Sequence, residues 1–219
     1  MTFGNVLRST SLGAFALVFL GTAIALPAFA HDGDHQEGQD KAMMKSDAEH
    51  AAMAGDEMKM EMEMASTDAM QAALVGNFGE VSKKLLDLAE AFPADKYSWR
   101  PAEGIRSVSE VFMHVAGANF FLSGPFGQEM PADFEKGMEK KVTEKADVIA
   151  WLKRSIDYAH KTFASADLAQ GGDQVEFFGQ EMSKDSILLI LLGHNHEHLG
   201  QAIAYARSTG VVPPWSAGS

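Results

Sequence analysis

The chain has 219 residues, 46% of them hydrophobic, enough for one good core, and its length allows one or two domains. A net charge of -12 argues against nucleic acid or an anionic membrane surface as partner. The chain has no cysteine, which excludes disulfides, thiolate metal sites, a Cys nucleophile and a lipid-modified N-terminal Cys.

Residues 1–30 read as a targeting signal. Arg8 lies in a short n-region, an apolar stretch runs from about Leu12 to Leu26, and Ala28-Phe29-Ala30 is an A-x-A cleavage signature. The apolar stretch is short for a bilayer span, which needs roughly 20 residues. The expectation is a mature chain from His31, periplasmic or secreted. The sequence has no second apolar run of spanning length, so no stable membrane insertion is expected after cleavage. Residues 31–66 are dominated by acids, Met and Ala, with His31, His35 and His50 among them. Such a composition cannot bury enough apolar surface to offset its ordering entropy, so a disordered linker is expected, with part of 41–64 a nascent helix. Met43, Met44, Met58, Met60, Met62 and Met64 also supply thioethers, ligands suited to Cu(I).

The folded domain is expected over 67–216. Apolar residues from Met70 to Ala91 (Met70, Ala73, Leu74, Phe78, Val81, Leu85, Leu88, Ala89) follow helical spacing, and Pro93 stops the helix. A loop with Tyr97, Trp99 and Pro101 follows. Ser107-Val108-Ser109-Glu110 is a capping-box pattern that opens a second helix with Val111, Phe112, Val115, Ala118 and Leu122 on its apolar side and His114 on or near it. Gly124-Pro125 ends it, and residues 123–142 read as a long loop rich in Gly, Pro and charge. A third helix spans about Thr143 to Ala166, with Ile149, Leu152, Ile156, Ala159 and Phe163 inward. Val175 to Gly179 reads as a short extended piece. The fourth helix starts from a Ser183 N-cap and exits at Gly210 and Pro213-Pro214. Four amphipathic helices with almost no strand signal predict an all-α bundle.

Chemistry concentrates on the fourth helix. Its stripe of Ile187, Ile190, Leu191, Ala202 and Tyr205 is continued by His194 and His198, which are four apart and so share a face. Unpartnered polar groups are costly to bury, and a divalent metal fits an i, i+4 histidine pair. Core histidines bonded to backbone or water are the alternative. His196 points roughly 160 degrees from either one and reads as surface. Glu197 reads as exposed and His160 as a half-exposed structural histidine. Gln201, one turn past His198, either holds the His198 ring or a metal-bound water, or packs near the bundle end. Asn119 and Tyr205 are weaker candidates, and Trp99 reads as a core plug.

Trp99-Arg100-Pro101-Ala102-Glu103-Gly104, the run from Ser107 to His114, His194-x-x-x-His198-x-Gly200-Gln201, Tyr205-x-Arg207 and Gly210 to Pro214 together resemble the DinB/YfiT-like superfamily over roughly 68–216. These are small four-helix bundles, many of which carry a divalent metal on one histidine of the second helix and two of the fourth. The resemblance implies a DinB-like four-helix bundle with His114, His194 and His198 as metal ligands. The signal peptide and Met-rich segment are not family features.

Three imidazoles leave a coordination position open, and zinc, nickel and iron(II) all accept such a set. The resemblance implies a thiol-dependent S-transferase or isomerase, while an open metal position would equally allow a metal-dependent hydrolase acting through bound water; a small molecule or thiol is the expected partner, with a homodimer left open. The alternative is a non-catalytic metal-binding or stress-response protein. No serine elbow, phosphate-cradling glycine loop or dinucleotide fingerprint is present in the sequence.

Overall fold

The computed structural model describes the backbone of residues 37–216 and 218, and side chains from residue 52 onward except 54. The expected signal segment, His31 and His35 lie outside the described residues. Contacts divide the chain into Met1–Ala51 and Ala52–Ser219. The first unit is described only as helical backbone over 37–51. All side-chain contacts that follow lie within the second.

The elements are α1 (Glu37–Ala91), α2 (Val108–Ser123), the short α3 (Met138–Lys141), α4 (Lys145–Ser165), strands β1 (Gln174–Phe177) and β2 (Gln180–Ser183), and α5 (Lys184–Ser208). Four of the helices, α1, α2, α4 and α5, form the bundle. The helix α1 begins well before the apolar stripe of 70–91 requires. Ala, Met, Glu and Lys favour helix, and no proline occurs between 37 and 91 to interrupt one. Over residues 37–66 of the stretch whose composition predicts a disordered linker, the structure therefore carries helical backbone, yet the described side chains from 52 to 66 are all exposed. Met70 and Ala73 stay exposed as well, and packing deepens only from Phe78 onward.

Gln71 near one end of the packed part of α1 donates to the carbonyls of Phe163 and Ala164, while Lys145 donates to those of Glu90 and Phe92 at the other end. These contacts set α1 antiparallel to α4. Phe78 stacks on Phe163 at 4.9 Å between ring centres. The core joins Phe78, Leu85 and Leu88 to Val111 and Phe112, to Leu152 and Phe163, and to Ile187 and Leu191, all essentially inaccessible to solvent. Burying each such side chain contributes about 1.5–3 kcal/mol before entropy is counted.

The loop after α1 fixes where α2 starts. Val108 and Ser109 donate their amides to the carbonyls of Trp99 and Tyr97, and Arg100 reaches Glu110 at 3.2 Å. The capping box forms: Ser107 Oγ accepts from the Glu110 amide at 3.3 Å, and Glu110 Oε2 accepts from the Ser107 amide at 2.7 Å. The expected extended piece is one arm of an antiparallel hairpin, with Gln174 opposite Ser183 and Phe177 opposite Gln180. Its turn places Phe178 at φ 54° and Gly179 at φ 75°, the left-handed pair of a type I′ turn. β2 runs straight into the Ser183 N-cap, whose Oγ accepts from the Ser186 amide at 3.3 Å. Gly210 takes φ 79° beyond α5, a conformation that suits glycine. Among the described residues, no helix is long and apolar enough to cross a membrane.

Candidate metal centre

The bundle sets α5 antiparallel to α2. Tyr205 donates its hydroxyl to the Arg106 carbonyl at 3.1 Å, His194 and His198 meet His114, and Asn195 meets Asn119. His114 therefore faces the i, i+4 pair, and one ligand atom from each of the three rings lies within 4.8 Å of the others. His194 Nε2 sits 3.1 Å from both His114 Nε2 and His198 Nε2.

Neighbours select the tautomers of the two outer rings. Glu139 Oε2 lies 3.2 Å from His114 Nδ1, and a carboxylate accepts, so Nδ1 carries the proton and Nε2 keeps its lone pair. Arg106 Nε holds the same carboxylate by donating to Oε1 at 2.7 Å. Gln201 Oε1 lies 2.8 Å from His198 Nδ1 and selects the same tautomer there. The Gln201 amide is oriented in turn by Tyr205, whose hydroxyl accepts from Gln201 Nε2 at 3.0 Å. Two lone pairs thus converge on His194 Nε2, which has at most one proton to share. His194 Nδ1 is buried and meets no hydrogen-bond partner among the described residues.

The residues fit a cation in this position. It would take all three lone pairs at once, and carboxylate- or amide-anchored imidazoles are the usual surroundings of a bound metal. Metal–nitrogen bonds of 2.0–2.1 Å put neighbouring donors about 3.3 Å apart in a tetrahedron and about 2.9 Å apart on an octahedral face. The observed 3.1 Å lies between. Electrostatics favour the neutral form of His114 and His194, the form a ligand must take. Burial pushes His114 below the usual histidine range, with Arg106 and His198 adding repulsion. Burial also pushes His194 down to about 4, helped by His198, His114 and Arg106.

One side of the cluster opens into a cavity of about 530 Å³ walled by His114 and His194 together with Met113, Phe121, Phe134 and Phe178. Ile190, expected on the buried stripe of α5, is partly exposed and lines this cavity instead. Gly117 also lines it, and the Phe134 ring lies so close that a β-carbon there would sit 3.1 Å from it.

The other candidates fall into place around this centre. His196 is exposed, with Nδ1 3.0 Å from the Leu192 carbonyl; Glu197 and His160 are exposed too. Gln201 holds the His198 ring, and Tyr205 supports Gln201. Trp99 packs edge-on against Tyr205 with 5.2 Å between ring centres. Asn119 is fully buried. It accepts from Asn195 Nδ2 at 2.8 Å and donates to Ser155 Oγ at 3.2 Å, linking α2, α4 and α5 beside the histidines. Three residues escape sequence reasoning: Arg106, Asn195 and Glu139. Asn195 follows His194 directly, and only its place between two apolar neighbours one turn away could have pointed to it. Glu139 lies in the stretch expected to be loop, where the one usable signal is Met138-Glu139-Lys140-Lys141, a single turn of good helix formers.

Comparison with known proteins agrees with this architecture. The sequence model of the DinB superfamily matches residues 77–202. YjoA of Bacillus subtilis (strain 168) is 25% identical over 130 residues, which span 57% of this chain and 80% of that protein. The crystal structure of that DinB-like protein superposes with a TM-score of 0.51 at 18% identity, covering 64% of this chain and 94% of the other. A DinB-like protein from Bacillus cereus ATCC 10987 gives 0.56 at 15% identity, covering 64% and 93%. A conserved protein from Enterococcus faecalis gives 0.52 at 14%, covering 62% and 94%. The helical bundle, its histidine-bearing second and last helices and the match across more than half of its length establish that the chain belongs to the DinB superfamily.

Proposed function

We propose that this is an exported metalloprotein that holds one divalent ion, zinc, nickel or iron(II), through His114, His194 and His198 and presents it to a small molecule entering the adjoining cavity. One observation carries the reading: three ring nitrogens converge, and Glu139 and Gln201 hold two of the rings in the tautomer whose Nε2 lone pair faces the third. An ion bound there supplies Lewis acidity toward an oxygen or sulfur of the ligand, or toward a bound water. The chain's own part is mechanical and electrostatic. Arg106 and Glu139 orient His114, Tyr205 and Gln201 orient His198, and the aromatic cavity wall limits water around the ligand. Those parts suit a metal-dependent hydrolase or a thiol-dependent transferase. Export is supported by the n-region, apolar stretch and Ala28-Phe29-Ala30 of the first 30 residues. A non-catalytic metal-handling role is the second reading, and the exposed methionines of α1 favour it.

The test is a zinc titration of the metal-free full chain followed by calorimetry. Wild type should take up one equivalent. His114→Ala, His194→Ala and His198→Ala should each weaken binding at least 100-fold, whereas His196→Ala and His160→Ala should leave it unchanged. Undiminished affinity in any of the three triad variants removes that residue from the ligand set and the reading with it.

A further inference from the structure

The described methionines of α1 take no place in the buried core or the histidine centre. Met53, Met58, Met60, Met62 and Met64 are between 58% and 68% exposed. A solvated helix does not need them, because Ala, Leu, Lys and Glu would form it equally well. What methionine adds is a polarizable thioether.

Their placement separates two uses of such side chains. A helix that docks through an apolar face gathers its large side chains into one stripe. Here the run Met58-Lys59-Met60-Glu61-Met62-Glu63-Met64 alternates methionine with charge. At 100 degrees per residue, Met58 and Met62 lie within about 40 degrees of each other, as do Met60 and Met64, while the two pairs sit on roughly opposite faces of the helix. Two opposed pairs make a poor docking stripe. Each pair, however, has the i, i+4 spacing that puts β-carbons about 5–6 Å apart. Two metal–sulfur bonds of about 2.3 Å, the zinc–thiolate length, span about 4.6 Å in a line, within reach of such a pair. Thioethers select soft ions, Cu(I) first among those of biology, and neutral sulfur holds hard divalent ions poorly. Glu57, Glu61 and Glu63 flank the pairs and lower the local potential for any cation, with Lys59 turned toward Glu63 at 3.9 Å.

We infer that Met58 with Met62, and Met60 with Met64, form two soft-metal sites on the exposed part of α1, each taking one Cu(I) between two thioether sulfurs. The sites are independent of the histidine centre and stand or fall without it.

The experiment is an anaerobic titration of the full chain with Cu(I) kept reduced by ascorbate, in competition with a chromogenic Cu(I) chelator. Leucine substitutions remove sulfur while preserving volume and helix propensity, so the fold should survive. Far-ultraviolet circular dichroism and the thermal midpoint are followed in parallel as the measure that it has. Wild type should retain two equivalents more than the variant with Met58, Met60, Met62 and Met64 all changed to Leu. The double variant Met58→Leu/Met62→Leu, which removes one pair, should lose one equivalent. Met58→Leu/Met60→Leu, which breaks both pairs with the same number of sulfurs removed, should lose two. Retention of the wild-type amount by the fourfold variant overturns the sites, and equal losses in the two double variants overturn the pairing. Ag(I), which needs no reductant, should reproduce the pattern.

Discussion

His194 is the residue on which the centre turns. It touches both other rings through Nε2, and its Nδ1 is buried without a hydrogen-bond partner among the described residues. Its folded-state pKa, pushed down to about 4 mainly by burial and then by its histidine neighbours, has a definite consequence for stability. Unfolded histidine binds a proton near pH 6.5 and the folded one resists it, so between these values the unfolded state holds more protons. Stability of the metal-free chain is therefore intact above about pH 6.5 and declines as pH falls toward 4. After discounting for solvent around a half-buried ring, the loss is on the order of 1–2 kcal/mol. Urea midpoints at pH 7 and pH 4.5 should show a larger acid loss for wild type than for His194→Gln. Equal losses would mean that this ring does not titrate as its surroundings dictate. The same depression means that protons compete with a bound ion at lower pH than an ordinary imidazole would suggest.

At the scale of elements, the alignment of α2 decides where His114 stands. His114 lies seven positions past the Ser107 N-cap, two turns of helix. The cap is tied down from both sides, by Glu110 within the box and by Arg100 across from the preceding loop. Ser107→Ala removes the acceptor for the Glu110 amide and should cost about 1 kcal/mol. For a domain of this size that is a fall of about 2–4 °C in the thermal midpoint. Zinc affinity should change little, because the Asn119–Asn195 and Asn119–Ser155 bonds hold α2 in register farther along. A midpoint unchanged within error would show that the box adds nothing to the helix. The capping residues, the Ser183 start and the Gly210 exit are local chemistry, and each can be read from a few consecutive residues. The short α3 cannot. One turn of helix gives too brief a pattern to stand out from a charged loop, and it gains weight because the fold brings Glu139 to His114.

For the molecule as a whole, the histidine centre belongs to the packed bundle, and the exposed stretch before it supports none of the core. The described side chains of 52–66 are in solvent, while burial begins in the following turns. A chain beginning at Ser66 should accordingly keep its thermal midpoint within about 2 °C, since surface changes remote from packed features usually stay within ±0.5 kcal/mol. It should also bind zinc as the full chain does. A collapse of the midpoint would reveal that the exposed helix is part of the cooperative unit.

Periodic apolar residues, the caps at Ser107 and Ser183, and the i, i+4 spacing of His194 and His198 determined by themselves that this is a helical bundle with two imidazoles on an inward stripe, because those features act over one or two turns. The third imidazole, His114, was legible only through resemblance; nothing in its own neighbourhood says which helix it will face. Tertiary structure alone decided that Glu139 would orient it, that Asn195 would bridge to Asn119, and that Ile190 would wall a cavity rather than fill the core. Each of these depends on contacts between residues tens of positions apart, whose meeting is set by how α2, α4 and α5 pack and not by any local preference of the chain.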